Sequence, residues 1–290
     1  METDCGTLEE IRAAQNRDGG WPYHKGGSWT EPTVYALLAH EAGGAQLPRQ
    51  AEAVAWLGRA QRPDGGFAPR LEVDESTWVT ALAALLPEEV IGARRHARAV
   101  EWLLARTGMQ SSALFRLREF LRNGALSSGP DVSGWPWYPG TAAWVTPTSL
   151  GILALQKCYW RRPASSLRER IAEARAFLFA HQCTDGGWNH GSERALGYDL
   201  GSYPETTGQA LLALRGTDPA RLQTALGRAQ LFLREPWSSA GASWLRLGLL
   251  AHGQLPPAAP RCSMPCRTLP DSALALIAGA AEQGYNVLVG

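Results

Sequence analysis

The chain has 290 residues, of which 45% are apolar and 19% charged, and its formal net charge is +1. This length can bury a sizeable core, and the near-neutral charge gives no electrostatic basis for binding nucleic acid. A polar, acidic N-terminus predicts no secretory signal, and no apolar run is long enough for a membrane-spanning helix. Together with five sparse cysteines, these features favour a cytoplasmic setting.

The predicted helices alternate between two kinds along the chain. Amphipathic helices, which suit an outer layer, are predicted at 7–16, 49–61, 94–107, 165–182 and 218–234. Helices that are apolar nearly all round, which suit an inner layer, are predicted at 34–40, 78–86, 149–157, 208–215, 242–251 and 271–282. The alternation predicts one all-α domain over residues 1–290, an α/α toroid with about six inner and five to six outer helices in a closed double ring. An open solenoid of HEAT type is the alternative.

Two stretches interrupt this alternation: an irregular insertion at about 109–145 and a proline-rich loop at about 254–268. Within the insertion, residues 113–122 form a short basic amphipathic segment. Such a segment is compatible with peripheral contact to a membrane surface, or with an additional outer helix whose apolar face seals the ring.

Three outer helices end in the same kind of turn, with the pattern Gln-x-x-Asp-Gly-Gly followed by an aromatic residue, at 15–21, 61–67 and 182–188. A glycine supplies the left-handed conformation past a helix end, and the aspartate ties the turn. The aromatic residue is expected to pack back onto the helices. The pattern therefore predicts a structural role for these turns.

The turns, and the Glu-Thr-Thr-like starts of the inner helices, resemble the terpenoid cyclase and protein prenyltransferase α/α toroid superfamily. The nearest resemblance is to squalene–hopene cyclases, whose prenyltransferase and squalene oxidase repeats carry such turns. Residues 134–148 resemble another turn and inner-helix start of that group. The resemblance covers most of residues 7–216, and the chain has the size of one toroid. It implies an isoprenoid-related enzyme or binding protein with an apolar chain in a central cavity.

Proton-initiated (class II) cyclases carry an Asp-x-Asp-Asp-Thr motif at the start of an inner helix, and the resemblance aligns it with residues 72–77. On that alignment Asp74 would be the general acid, and Glu72 and Glu75 would replace the flanking aspartates. Crowded carboxylates in an apolar cavity raise the pKa of one another, which keeps an acid protonated. The alternative for Glu75 is structural, because a carboxylate in the first turn of a helix interacts favourably with the helix dipole.

If the inner helices run parallel, their N-terminal ends share one mouth of the ring. The side chains predicted to line it are carboxylates and aromatics: Glu31, Asp74, Glu75, Glu205, Asp271, Trp29, Trp78, Trp144, Tyr203 and Trp244. Aromatic side chains above an apolar bore suit a hydrophobic, isoprenoid-like small molecule and would stabilise a carbocation by cation–π contact. The alternative is that these rings pack loops onto the barrel.

No cofactor and no metal site are predicted. Prenyltransferases hold zinc with aspartate, cysteine and histidine, and this chain has no matching pattern. Cys262 and Cys266 are a single pair, whereas a structural zinc site needs four ligands, so thiols or a disulfide are expected. The chain also has no Asp-Asp-x-x-Asp cluster for magnesium and no glycine loop that would cradle phosphates.

Two other functions remain open at this point. The chain could be a non-catalytic helical scaffold that binds a protein or peptide. It could also be a carbohydrate-active enzyme on an α/α barrel, with two mouth carboxylates such as Asp74 and Glu205 as acid and base. The sequence does not specify the substrate, the oligomeric state or whether a partner completes the site.

Overall fold

The computed structural model describes residues 6–108, 133–191, 194–195, 198–235, 238–257 and 264–289. The inner helices are α2 (Thr30–Ala42), α4 (Val79–Leu85), α7 (Val145–Arg161), α9 (Pro204–Ala213), α11 (Ser239–Ala251) and α12 (Leu269–Glu282). The outer helices are α1 (Leu8–Ala13), α3 (Gln50–Ala60), α6 (Ala93–Ala105), α8 (Ser165–Ala180) and α10 (Gln223–Arg234). The remaining elements are α5 (Glu88–Ile91), the 3₁₀ helix Pro219–Leu222, and the antiparallel pair β1 (Arg194–Ala195) and β2 (Tyr198–Asp199).

The inner helices form a closed ring. Each packs against the next in chain order, and α12 packs back onto α2. The outer helices cover the ring from outside, with α3 on α2, α6 on α4, α8 on α7, and α10 on both α9 and α11. The predicted α/α toroid is thereby confirmed, and the open solenoid is wrong because α12 and α2 close the ring. The predicted basic segment 113–122 lies outside the described residues.

The Gln-x-x-Asp-Gly-Gly turns tie each outer helix to the next one. Asp64 of the second turn accepts a hydrogen bond from the indole N–H of Trp102 on α6, at 2.8 Å, and Gln61 donates to the carbonyl of Arg95 in α6, at 2.9 Å. Gly65 has a φ of +96°, the left-handed conformation expected of this position. A Cβ on the next residue, Gly66, would lie 2.5 Å from the Cβ of Ser76, so the loops approach too closely for any side chain.

The aromatic residue of the turn is directed back into the core. Trp21 and Trp188 are fully buried, and their indole N–H groups donate to backbone carbonyls of Ile11 and Leu178, both at 2.6 Å. Those carbonyls belong to the outer helices α1 and α8, so the indole satisfies an acceptor near each helix end. These contacts support the structural role predicted for the turns.

The end of the ring where the inner helices finish is closed by residues 283–289. Val287 and Leu288 are buried there, and the Lys157 ammonium donates to the carbonyls of Val287 and Leu85, each at 2.7 Å. The Arg215 guanidinium donates to the carbonyl of Val289 at 2.8 Å. The tail therefore covers this end of the bore.

Two inner helices, α9 and α11, approach each other at a pair of glycines. A Cβ on Gly208 would overlap the backbone carbonyl carbon of Trp244, and a Cβ on Gly248 would lie 2.7 Å from the carbonyl oxygen of Gly208. Such close backbone contact narrows the ring on this side. Among the described residues, no helix combines the length and apolar character needed to cross a membrane.

Candidate functional site

The opposite end of the ring, which we call the N-terminal mouth, is formed by the first turns of the inner helices and the loops before them. Four of these helices begin with a backbone hydrogen bond to a loop of a neighbouring repeat: Thr30 to Pro69, Trp78 to Trp137, Val145 to His190, and Leu269 to Tyr23, at 2.9–3.1 Å. Each accepting residue lies two positions after the aromatic of its turn. The last of these bonds joins the final inner helix to the first repeat.

Glu31, in the first turn of α2, is the most strongly perturbed carboxyl group of this mouth. It accepts a hydrogen bond from the Tyr23 hydroxyl, and the Tyr23 ring contacts Trp29 edge-on with centroids 5.5 Å apart. Burial raises the pKa of Glu31, and the neighbouring charge of Asp271 raises it further; the hydrogen bond from Tyr23 lowers it but does not offset burial. The net pKa of Glu31 lies above its ordinary value.

Tyr35, one turn further along the same face of α2, lies beneath this carboxyl group. Its side chain is buried. Burial raises the pKa of Tyr35 well above its ordinary value, and the charges of Glu31, Glu205 and Asp271 add to the shift. Three carboxylates from α2, α9 and α12 therefore act on one phenol, which shows that the ring brings them together.

Two of these carboxylates have structural partners as well. Asp271 accepts hydrogen bonds from the backbone N–H groups of Arg267 and Thr268, both at 2.9 Å, and so caps α12. Glu205 accepts a hydrogen bond from the Ser238 hydroxyl at 3.0 Å. The first-turn position predicted for Glu31, Glu205 and Asp271 is confirmed.

The first-turn position predicted for Glu75 is wrong. Helix α4 begins only at Val79, so Glu75 lies four residues before it, in the exposed loop that also contains Glu72 and Asp74. The cause is a longer connection. Thr80, which accepts the N–H of Phe67, lies 13 positions after it, whereas the equivalent Thr33 lies 12 positions after Trp21. The residue that corresponds to Glu31, two positions before the threonine, is therefore Trp78 and not Glu75.

The loop with the predicted catalytic residues is ordered by backbone contacts. Arg62 donates to the carbonyls of residues 70, 71 and 73, and Glu72 pairs with Arg70 at 3.2 Å, with both side chains largely exposed. The Arg70 guanidinium lies 4.6 Å from the centre of the Trp29 ring, so the loop reaches the rim of the N-terminal mouth. Within the described residues, however, no hydrogen bond joins Asp74 to Glu31, Glu205 or Asp271, and Asp74 is exposed.

The predicted aromatic residues divide into rim and core. Trp29, Trp144 and Tyr203 immediately precede their helices, and Trp78 contacts Trp137 edge-on with centroids 4.8 Å apart. Trp244 is instead buried against α9, so its position favours packing.

Sequence reasoning missed four residues of this mouth: Tyr23, Tyr35, Trp137 and His190. Three of them share one repeat position, two residues after the aromatic of a turn, and His190 contacts Tyr203 with ring centroids 5.3 Å apart. The repeat pattern in the sequence could have identified that position. It could not have identified Tyr35, because the residues that surround Tyr35 are brought together only when the ring closes.

Two cavities lie at the other end of the ring. One, of about 840 Å³, extends from the end of α7 along α8 to the 3₁₀ helix, and the other, of about 700 Å³, lies beside residues 285–289. Among the described residues, no group of three histidine, cysteine or acidic side chains is arranged to hold a metal ion. Cys158 and Cys183 form no disulfide and Cys266 is disulfide-bonded, whereas Cys262 lies outside the described residues.

Comparison of sequences gives two short matches. The chain is 42% identical over 62 residues to drimenyl diphosphate synthase of Streptantibioticus cattleyicolor, a match that covers 21% of this chain and 12% of that protein. It is 39% identical over 111 residues to the uncharacterized protein y4kT of Sinorhizobium fredii, covering 35% of this chain and 21% of that protein. The chain thus spans only a minor part of the curated relatives it matches, and no protein-family profile matches it.

Comparison of structures extends over almost the whole chain. The type II terpene cyclase MstE from Scytonema, in complex with geranylgeranyl dihydroxybenzoate, has a TM-score of 0.53 at 17% identity over 97% of this chain and 78% of that chain. The ent-copalyl diphosphate synthase of Streptomyces platensis scores 0.54 at 14% identity over 88% and 50%. A family 76 α-mannanase of Bacteroides thetaiotaomicron scores 0.62 at 9% identity over 95% of each chain. At these identities the likeness establishes the fold alone.

Proposed function

We propose that this chain, which has the α/α toroid fold found in type II terpene cyclases, binds an isoprenoid at its N-terminal mouth, with Glu31 as proton donor. The observation that carries the proposal is the raised pKa of the Glu31 carboxyl, caused by burial and by Asp271. A carboxyl group must be protonated before it can transfer a proton to an alkene, and a raised pKa increases the protonated fraction at neutral pH.

The proteins that resemble this chain support the ligand class. One similar structure holds a geranylgeranyl dihydroxybenzoate, and the relative from Streptantibioticus cattleyicolor is named for drimenyl diphosphate. The rim of the N-terminal mouth adds a physical reason. Trp29 and Tyr23 flank Glu31, and the Trp78–Trp137 pair lies on the neighbouring repeat. Aromatic faces of this kind pack against apolar chains and attract cationic carbon.

The chemistry that this arrangement supports is protonation of a terminal alkene. The proton of the Glu31 carboxyl would pass to one alkene carbon, whose π electrons form the new C–H bond. The other carbon becomes a cation beside the aromatic rim, and Glu31 is left as a carboxylate that accepts the Tyr23 hydrogen bond. Solvent protons would restore the acid for the next cycle.

Asp74, Glu72 and Glu75 stay a competing prediction for the acid. Their resemblance to the cyclase motif is the argument for them, and their exposure is the argument against them. An exposed carboxyl group lacks the desolvation that would hold it protonated. Another surface covering the loop 72–75 would have to supply that desolvation.

The experiment compares two isosteric variants at one mouth. Purified protein is incubated with linear prenyl diphosphates and polyprenes, with product analysis by mass spectrometry and binding measured by tryptophan fluorescence. Glu31→Gln should abolish conversion while retaining binding, and Asp74→Asn should retain both. If conversion is lost only in Asp74→Asn, then Asp74 in the loop, and not Glu31, is the proton donor. Wild-type protein that neither binds nor converts any prenyl substrate would refute the proposal and leave the scaffold function.

One observation favours a carbohydrate-active enzyme as the second candidate. The α-mannanase structure matches 95% of this chain with a TM-score of 0.62, against 0.53 and 0.54 for the two terpene cyclases. Glu31 and Asp271 are close enough for the charge of Asp271 to raise the pKa of Glu31. Acid–base hydrolysis of a glycoside uses a pair of carboxyl groups, one as acid and one as base. Release of reducing sugar from mannan, lost in both Glu31→Gln and Asp271→Asn, would establish it.

A further inference from the structure

The 840 Å³ cavity at the far end of the ring has an unusual distribution of charge. Its lining includes Arg168 and Arg175 from α8, and Arg215 and Arg221 from the segment after α9, with no aspartate or glutamate among the lining residues. We call this cavity the arginine pocket. None of the four arginines forms a salt bridge with any described residue.

Two of these cations are held close together without a counterion. Arg175 donates to the backbone carbonyl of Arg215 at 2.7 Å, while its buried Nε atom has no hydrogen-bond partner among the described residues. Burial lowers the pKa of both guanidinium groups, and for Arg175 the charge of Arg215 adds to the effect. The Arg175 guanidinium is therefore a partly buried cation without a counterion, and an anion beside it would offset both the burial and the repulsion by Arg215.

The rest of the pocket is apolar and aromatic. Trp160 is 71% exposed although it is the largest kind of side chain, and Tyr159, Ile171 and Phe179 line the same cavity. Arg221 lies over the Phe179 ring at 4.1 Å. The volume lies in the range of about 300–1,000 Å³ that small-molecule sites occupy. A ligand here would therefore meet cations on one side and rings on the other.

The pocket is separate from the N-terminal mouth. Trp160 lies 16 residues after Trp144 on the same helix, which places the two about 24 Å apart along the axis of α7. The neighbouring 700 Å³ cavity shares Trp160 and Arg215 but differs in charge, since it includes Glu41 and Glu89 and its Arg161 is paired with Glu89 at 3.1 Å. The cations of the second cavity, Lys157, Arg161 and Arg215, are offset by these two glutamates, so an anion is favoured more in the first cavity.

We infer that the arginine pocket binds a small molecule in which a phosphate group is joined to an aromatic or apolar body. Guanidinium groups match the fork geometry of phosphate oxygens, and Arg168 and Arg221, at the exposed edge, can close on the phosphate beside Arg175 and Arg215. Trp160 would stack on the body of the ligand. This site does not depend on the function proposed for the N-terminal mouth.

The test is isothermal titration calorimetry with 1-naphthyl phosphate, inorganic phosphate and 1-naphthol. Wild-type protein should bind 1-naphthyl phosphate at least about tenfold more tightly than either fragment, because both halves of the pocket are then engaged. Equal affinity for 1-naphthol, equal affinity for inorganic phosphate, or no heat with 1-naphthyl phosphate at millimolar concentration would each overturn the inference.

Variants at exposed positions locate the binding without disturbing the fold. Arg168→Gln/Arg221→Gln and, separately, Trp160→Ala should each weaken 1-naphthyl phosphate binding by about tenfold or more. Arg94→Gln, which removes an exposed arginine of α6, is the matched control and should change it less than about twofold. Thermal unfolding verifies that all variants are folded. Binding that survives both pocket variants, or that is lost in Arg161→Gln alone, would place the ligand elsewhere and refute the assignment.

Discussion

The second repeat turn is predicted to stabilise the fold through one partly exposed acceptor, the Asp64 carboxylate. It accepts hydrogen bonds from the Gly66 N–H at 3.1 Å, the Ser76 hydroxyl at 2.6 Å and the Trp102 indole N–H at 2.8 Å, with Arg106 at 3.6 Å. Asp64→Asn keeps one oxygen for Gly66 and Ser76 but presents an N–H₂ group to the indole. Because Trp102 is 5% exposed, its N–H then lacks any acceptor, at a cost of about 2 kcal/mol.

The measurement is urea and thermal unfolding followed by circular dichroism. A loss of about 2 kcal/mol should lower the melting temperature by roughly 3 °C in a chain of this size. Asp74→Asn, which makes the same change in the neighbouring exposed loop, should stay within about 0.5 kcal/mol of the wild type. In a double-mutant cycle with Trp102→Phe, Asp64→Asn should cost less than it does alone, because the orphaned donor is gone. Equal losses for Asp64→Asn and Asp74→Asn, or additive losses in the cycle, would refute the reasoning.

The pH dependence of the stability difference between the wild type and Asp64→Asn follows from the pKa of Asp64. Partial burial acts to raise the pKa of Asp64, but the hydrogen bonds from Ser76, Trp102 and Gly66 outweigh it and hold the pKa below its ordinary value. A carboxyl whose pKa is lowered by folding stabilises the native state above its unfolded pKa, and the stabilisation is lost as pH falls through the folded pKa. The difference in the free energy of unfolding between the wild type and Asp64→Asn should therefore become smaller below about pH 4.

Three further predictions follow from buried positions. Gly208→Ala should destabilise the fold by about 1–3 kcal/mol, because its Cβ meets the backbone at Trp244, whereas Gly227→Ala, in open space on α10, should be neutral or stabilising in the same urea titration. His40→Phe should raise the melting temperature, because both ring nitrogens of His40 are buried without hydrogen-bond partners. Burial and the charge of Arg12 lower the pKa of His40, so the wild type loses stability as pH falls and the advantage of the variant should grow below about pH 6.5. Burial lowers the pKa of Lys157 to about 8, so the free energy of unfolding of the wild type should rise between pH 8 and about 10.5. Unfolding curves measured across this pH range should show a smaller rise for Lys157→Met.

The fold was predictable because its determinants are local and repeated. The turn pattern of residues 61–67 specifies a glycine of positive φ, a capping aspartate and an aromatic anchor within seven positions, and the structure uses each of them for that purpose. The two layers follow from the apolar pattern alone, since inner helices such as α2 are buried on nearly every residue.

The site was predictable only in part, because its chemistry depends on long-range neighbours. Glu31 was assigned to the mouth by its place in the first turn, but its raised pKa depends on Asp271, 240 positions away in the chain. Glu75 was misassigned because the connection before α4 is longer than the one before α2, so that Trp78 and not Glu75 occupies the position of Glu31. The arginine pocket had no signal in the sequence, since its four arginines come from α8 and the segment after α9.

The geometry of the ring restricts where an isoprenoid can bind and what can happen to it. Among the described residues, the tail with Val287 and Leu288 covers one end of the ring and α9 and α11 are in close backbone contact, so the N-terminal mouth is the approach that we expect for a long apolar chain. At that mouth Tyr203 is 44% exposed, so water reaches the rim. A carbocation survives only where water is excluded, whereas simple binding has no such requirement. Cyclisation at Glu31 therefore requires a second surface over the rim, and the isolated chain should bind prenyl ligands more readily than it converts them.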